Sequence, residues 1–162
     1  MSKIVSAYME CYVAYKSKKR IEYLLLKRSK DKEPYPGIWQ IITGKVEKRE
    51  KAYEAAYREV VEETSLKISK LYSIPKVTGF YTAYNDRIHL IPLFLAIAEN
   101  KTVILSSEHS AYRWVDYKKA KRLVHWVTQK EIFDIIETEI NTKGKINSLV
   151  EIEIPKKLLK TK

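Results

Sequence analysis

Glu59, Glu62 and Glu63 stand at i, i+3 and i+4 in the run REVVEET. If that run is helical, the 3.6-residue period brings the three carboxylates out on one face within about 100° of arc. Like charges so placed disfavour a helix by roughly 0.2 to 0.5 kcal/mol per pair, so their concentration points to a compensating cation. Carboxylate oxygens with no cysteine and no histidine beside them suit a hard ion such as Mg²⁺ or Mn²⁺ better than zinc. The alternative is a solvated helix face with Arg58 paired to Glu62 and Glu63 paired to Lys67, both at i, i+4.

The elements that must position these groups follow from the neighbouring pattern. From about Lys51 to Thr64 the chain lacks Gly and Pro and is rich in Ala and Glu, which predicts a helix. Ala52, Ala56 and Val60 form an apolar row beside the glutamates, so the helix is expected to lie close on a sheet. Upstream, Gly44 follows WQIIT and opens a loop with Glu47 and Glu50; glycine there lets the backbone turn sharply and offer a carbonyl to a ligand. Strands are expected over residues 3 to 15, 20 to 27, 38 to 42, 68 to 82, 87 to 98 and 112 to 115. Tyr84-Asn85-Asp86 is a turn between the two longest. A second helix spans Trp126 to Ile140, and a strand at Leu149 to Ile154 or a loose tail ends the chain. One strong helix flanked by strands, with no regular alternation, predicts a mixed α/β sandwich over a doubly wound parallel sheet.

At 162 residues the chain is long enough for one domain with a sizeable core, and residues 1–162 are read as one. Its 45% hydrophobic and 31% charged content is that of a folded soluble protein. The net charge of +11 is spread, with much of the excess in KSKKR and in the basic tail from about residue 143 to 162, so it supports attraction to polyanions, free nucleotides included, over a dedicated nucleic-acid groove. Cys11 is the only cysteine, in a strand-like apolar run, which excludes an internal disulfide and suits a reducing compartment. The opening residues lack a signal-peptide pattern and no stretch is long and apolar enough to cross a bilayer, so a cytoplasmic location is expected. With four glycines, no dinucleotide or phosphate-loop pattern can be written, and no GxSxG exists for a serine hydrolase.

Residues 44–66, GKVEKREKAYEAAYREVVEETSL, resemble the signature box of the Nudix hydrolases: Gly, five residues, Glu, seven residues, Arg-Glu, an aliphatic, any residue, Glu-Glu, any residue, Gly, an aliphatic. Gly44, Glu50, Arg58, Glu59, Val60, Glu62, Glu63 and Leu66 fill eight of the nine defined places, and Ser65 stands where the family has glycine. Serine forfeits an easy left-handed cap, which puts the helix terminus in doubt. The resemblance implies a Nudix-type α/β/α sandwich with a mixed sheet and a divalent-metal-dependent hydrolase of pyrophosphate linkages. It further implies that Glu59 and Glu63 bind Mg²⁺, with Mn²⁺ as a substitute. The Gly44 carbonyl offers a further ligand, Glu62 is an additional ligand or the base, and Glu50 with Arg58 forms the structural pair tying loop to helix.

Outside the box, LLLKRS, WQIITG and SEHSAYRWVD are similar to the dihydroneopterin triphosphate pyrophosphatases, also known as dATP pyrophosphohydrolases. By that resemblance Arg28 faces substrate phosphate, Thr43 lies beside the site, and Glu108 binds metal or activates water. His125 with Trp126 precedes the last helix, where that subgroup places substrate contacts, and Tyr84 or Tyr81 is a candidate to stack on a base or pterin. His89 and His109 read as packing or surface residues, since neither has a second histidine at metal-site spacing, and Trp39 is expected to close the core beneath the box. The expected reaction takes a nucleoside or pterin triphosphate to its monophosphate and pyrophosphate. Rivals are a dinucleoside polyphosphate, nucleotide-sugar or RNA-cap hydrolase on the same scaffold, and a non-catalytic nucleotide-sensing or RNA-binding module. Whether the chain is a monomer or a homodimer is left open.

Overall fold

Runs of alternating and β-branched residues become strands in the computed structural model, which describes residues 1–18, 20–142 and 145–159. The strands are β1 (Lys3–Val5), β2 (Tyr8–Lys16), β3 (Ile21–Arg28), β4 (Trp39–Gln40), β5 (Ile42–Lys45), β6 (Ile68–Thr82), β7 (Arg87–Ala98), β8 (His109–Val115), β9 (Asn141–Thr142), β10 (Lys145–Ile146) and β11 (Glu151–Ile152). The helices are α1 (Ala52–Thr64), α2 (Tyr117–Leu123), α3 (Val127–Ile135), prolonged by a π-helical turn over Ile136–Ile140, and α4 (Lys156–Leu159). Nine strands form one sheet in the order β11-β6-β7-β2-β3-β4, with β1 beside β7, β5 beside β2 and β8 beside β3. β7 runs parallel to β1 and β2 while the remaining pairs in this sheet are antiparallel, so the sheet is mixed. β9 and β10 pair separately.

Period-2 alternation divides β2 between two cores. Met9, Cys11 and Val13 face one cluster with Ile42, Ala56 and Val60, while Tyr12 and Ala14 face the other with Leu93, Phe133 and Ile136. The sheet is therefore covered by α1 on one face and by α3 on the other, an α/β/α sandwich. Ala55, Ala56 and Val60 are fully buried, and their small side chains let α1 lie close on the strands. Cys11 is buried on this face, and burial pushes its thiol pKa up, which suits a small core residue and not a nucleophile.

Several boundaries differ from the expected ones, each for a local reason. The stretch 3 to 15 is two strands, because β1 pairs only with β7 whereas β2 sits between β7 and the β3/β5 side. The stretch 38 to 42 divides likewise: Trp39 and Gln40 pair with β3, and Ile42 onward pairs with β2. Trp39 and Ile41 consequently point to the α3 face, so Trp39 does not close the core beneath α1; Arg113 lies over its ring, 4.9 Å from the centroid. The short helix α2 has no counterpart among the expected elements; its start is capped by Asp116, whose side chain accepts from the Lys119 N–H.

The tail is partly docked. β11 pairs with β6 through Glu151 and Ile152, and Lys70 binds the Glu151 carboxylate at 2.9 Å. α4 brings Lys157 Nζ to 2.6 Å from Glu54 Oε1 on the first turn of α1, and this partner lowers the Glu54 pKa. Residues 160–162 of the basic tail, Lys19 of the KSKKR turn, and Lys143 and Gly144 of TKGK lie outside the described residues.

Candidate active site

Helix α1 carries Arg58, Glu59, Glu62 and Glu63 over its last two turns, and Arg58 organises the first part of the group. Its Nε and Nη2 reach the two oxygens of Glu50 at 2.9 and 3.0 Å, a two-pronged pairing that matches the planar guanidinium to the carboxylate. Nη1 donates to Glu59 Oε1 at 2.8 Å and to Glu62 Oε2 at 3.0 Å, and Nη2 also meets the Lys45 carbonyl at 2.9 Å. Arg58 therefore fastens the turn carrying Glu50 to the helix. Its guanidinium holds the Glu50 carboxyl below the usual carboxylate range.

Gly44 takes no left-handed turn, because the only glycine with positive φ among the described residues is Gly37. It lies inside β5 opposite Met9, and its role is close approach: a β-carbon there would fall 2.4 Å from Glu59 Cδ and Oε1. The missing side chain is the space in which the Glu59 carboxylate sits. Burial raises the pKa of Glu59, with the Arg58 hydrogen bond opposing it.

Glu63 turns inward and is 5% exposed. It makes no ion pair with Lys67 among the described residues; its Oε2 instead meets His109 Nε2 at 2.9 Å. Burial raises the Glu63 pKa and the contact with His109 works against that rise. Glu63, Glu108 and His109 each present a possible ligand atom, all within 4.8 Å of one another. Glu59 is not part of that compact group. Glu62 is paired with Arg58 and its side chain is 59% exposed, so that half of the solvated-face alternative is present.

The turn before β8 delivers Glu108 and His109 together. Ser106 N–H donates to the Glu63 carbonyl at 3.0 Å, and Ser29 N–H donates to the Glu108 carbonyl at 2.9 Å, so the turn is anchored to both α1 and β3. Glu108 stays exposed, and Arg28 Nη1 lies 3.9 Å from its Oε2. The rest of the Arg28 guanidinium donates to the carbonyls of Lys32 and Glu33, holding the loop after β3. A cation and an acidic group thus stand side by side at the open edge of a buried carboxylate.

Other sequence candidates lie elsewhere. Thr43 is exposed and, one residue from Gly44 in β5, points to the opposite sheet face with Glu10 as its strand partner. His125 packs edge-on to Trp126 at the start of α3, on that same side. Tyr84 stands 88% exposed at the tip of the β6–β7 hairpin, and no hydrogen bond or ring contact joins it to the carboxylates among the described residues. Tyr81 donates its hydroxyl to Asp86 in the same hairpin, and His89 is buried and stacked on Phe80 at 4.7 Å. His109 is the residue that spacing alone does not single out; adjacency to Glu108 in SEHSAYRW is the one available pointer.

The donor set suits a divalent cation. Glu59 and Glu63 each have one oxygen engaged, by Arg58 and His109, and the second oxygen of each makes no hydrogen bond among the described residues. Carboxylate oxygens match the preference of hard cations, and Glu63 and Glu108 bring theirs within 4.8 Å of each other, with Glu59 seated on the same helix as Glu63 in the space over Gly44.

Comparison with known proteins identifies the family. The NUDIX domain model matches residues 11–134. The nucleoside triphosphatase NudI of Klebsiella pneumoniae is 30% identical over 107 residues, 61% of this chain and 76% of that protein. NudI of Escherichia coli K12 is 30% identical over 112 residues, 64% of this chain and 77% of that one. The structure of the E. coli dihydroneopterin triphosphate pyrophosphohydrolase superposes with a TM-score of 0.63 at 25% identity, covering 85% of this chain and 99% of that chain. With the family model spanning most of its length and a carboxylate-bearing helix in place, this chain belongs to the Nudix hydrolases, enzymes acting on phosphoric anhydride bonds.

Proposed function

We propose that the protein hydrolyses a nucleoside or pterin triphosphate to the monophosphate and pyrophosphate, with Mg²⁺ held by Glu63 together with Glu59 and Glu108. The observation that carries this reading is the buried Glu63 carboxylate with Glu108 and Arg28 at its open side. The name nucleoside triphosphatase borne by the NudI relatives supports the substrate class, and the dihydroneopterin triphosphate enzyme among the structural neighbours supports the pterin variant. When bound, the divalent cation neutralises polyphosphate charge and makes water more acidic. Arg28 orients a phosphate through its guanidinium, and Arg58 keeps Glu59 and Glu62 in place. Exposed Glu108 takes the proton of the attacking water as its oxygen bonds to phosphorus. The bridging P–O bond breaks, and pyrophosphate leaves with that electron pair.

Among the described residues no helix is long and apolar enough to cross a membrane, and a lone buried cysteine suits a reducing cytoplasm. The test is a hydrolysis screen with Mg²⁺ over dATP, the other nucleoside triphosphates, dihydroneopterin triphosphate and dinucleoside polyphosphates, repeated after chelation. Pyrophosphate release from a triphosphate, lost on chelation, is the expected result. Exclusive turnover of dinucleoside polyphosphates, or turnover indifferent to chelator, would overturn the proposal.

A further inference from the structure

His109 and Glu63 are both withdrawn from solvent, with side-chain exposures of 0% and 7%, and His109 Nε2 lies 2.9 Å from Glu63 Oε2. The other ring nitrogen, Nδ1, is buried and has no hydrogen-bond partner among the described residues. That asymmetry places the donated ring hydrogen. A buried N–H with no acceptor costs roughly 1 to 3 kcal/mol, so the hydrogen belongs on Nε2, where a carboxylate oxygen receives it. Nε2 then has no lone pair to offer a cation, and Nδ1 lies on the other side of the ring.

We infer that His109 is a positioning residue for the cation site: by donating from Nε2 to Oε2 it fixes the rotation of the Glu63 carboxylate, whose Oε1 makes no hydrogen bond among the described residues, within the compact group that also holds Glu108. The inference rests on the reading of Glu63 as a ligand. Backbone geometry supports the same division of labour. The Glu63 carbonyl accepts from Ser106 N–H, and the Ser106 carbonyl accepts from His109 N–H at 3.3 Å, so one turn grips both the main chain and the side chain of Glu63. Strand alternation at the start of β8 sends His109 inward and Ser110 outward, while Glu108, in the turn just before the strand, stays at the surface. Donors to a ligating carboxylate of this kind typically contribute 10- to 100-fold in metal affinity, roughly the size of effect expected here.

The experiment is a Mn²⁺ titration of the purified protein, read by loss of the free-ion electron paramagnetic resonance signal, with Mg²⁺-dependent kinetics alongside. His109→Leu is expected to weaken Mn²⁺ binding by about tenfold or more and to raise the Mg²⁺ concentration for half-maximal rate, with kcat at saturating Mg²⁺ reduced less. His109→Gln, whose amide nitrogen reaches the place of Nε2, is expected to restore binding, while His109→Asn, which mimics Nδ1, is not. Wild-type affinity in His109→Leu would overturn the inference, and so would a loss in His109→Gln equal to that in His109→Leu, which would make the imidazole itself a ligand. If His109→Leu does not fold, equal affinities in the Gln and Asn variants overturn it. Glu63→Gln separates the two levels: unchanged Mn²⁺ affinity there removes the ligand assignment and this inference with it. Loss there with no loss in His109→Leu removes the positioning role alone.

Discussion

The carboxylate of Glu59 lies against the α-carbon of Gly44, so that a β-carbon on residue 44 would fall 2.4 Å from Glu59 Cδ. Gly44 has no left-handed φ, and the atoms in the way belong to the end of a flexible side chain, so alanine is compatible with the backbone of β5. Gly44→Ala should therefore fold with a nearly unchanged melting temperature while displacing Glu59 from its place. A displacement on the ångström scale in a catalytic constellation costs roughly 10²-fold in rate. Circular dichroism melts and kcat measured together check this; a fully active Gly44→Ala enzyme would remove Glu59 from the working site.

Glu63 and Glu108 differ in burial, and their substitutions should differ in kind. Glu63→Gln keeps the shape and an oxygen to accept from His109, so the fold should persist while turnover falls by more than about 100-fold, beyond the loss expected for an outer-shell partner. Glu108→Ala removes an exposed group with little packing, and loss of a general base lowers turnover by roughly 10²- to 10⁴-fold. Rates measured at saturating Mg²⁺ decide both. An unchanged rate in Glu108→Ala would return that residue to a purely structural part in its turn.

Glu50 ties its turn to α1 through Arg58, and its pKa is lowered by that partner. A carboxyl whose folded pKa is depressed contributes stability that is complete above its unfolded pKa, about 4.3 for glutamate, and is lost as pH falls through the folded value. Glu50→Gln should accordingly cost about 1.5 to 3 kcal/mol near neutral pH, the range for hydrogen bonds to charged groups. The gap between wild type and variant in urea unfolding should narrow steadily below about pH 4.3. A gap independent of pH from 6 to 3 would mean, on roughly this linkage, that the ion pair is not what Glu50 contributes.

The helix and its glutamates were legible because a 3.6-residue period and a run without Gly or Pro are local properties, and α1 begins and ends within one residue of the expected span. The two long strands were legible from their local content of β-branched, aliphatic and aromatic residues from Ile68 to Thr82 and from Arg87 to Ala98, although Pro75 and Gly79 interrupt the first and its register against the second shifts between Ser73 and Val77. Apart from the short helix α2, what escaped depended on partners distant in sequence. Trp39 faces α3 because the chain leaves β3 for β2 between Gln40 and Ile42, a step that no local pattern records. His109 meets Glu63 across 46 positions, so its isolation from other histidines said nothing about its surroundings. Gly44 has the local pattern of a turn, whereas the property in use is the absence of a side chain under Glu59.

Ser65 ends α1 in the left-handed conformation at φ 56° and ψ 18°, and its N–H closes on the Val61 carbonyl at 2.8 Å. The helix thus terminates where a glycine would end it, but with a side chain in a region that costs an L-residue roughly 1 to 2 kcal/mol. Glycine would remove that cost while giving back about 0.4 to 1 kcal/mol through the greater freedom of the unfolded chain. Ser65→Gly should therefore stabilise the protein by about 0.5 to 1 kcal/mol, a rise of about 1 to 4 °C in melting temperature for a domain of this size. Ser65 is exposed, so activity should not change. Destabilisation by Ser65→Gly would show that the helix ends in another conformation, and that the last turn bearing Glu62 and Glu63 is held by something other than this cap.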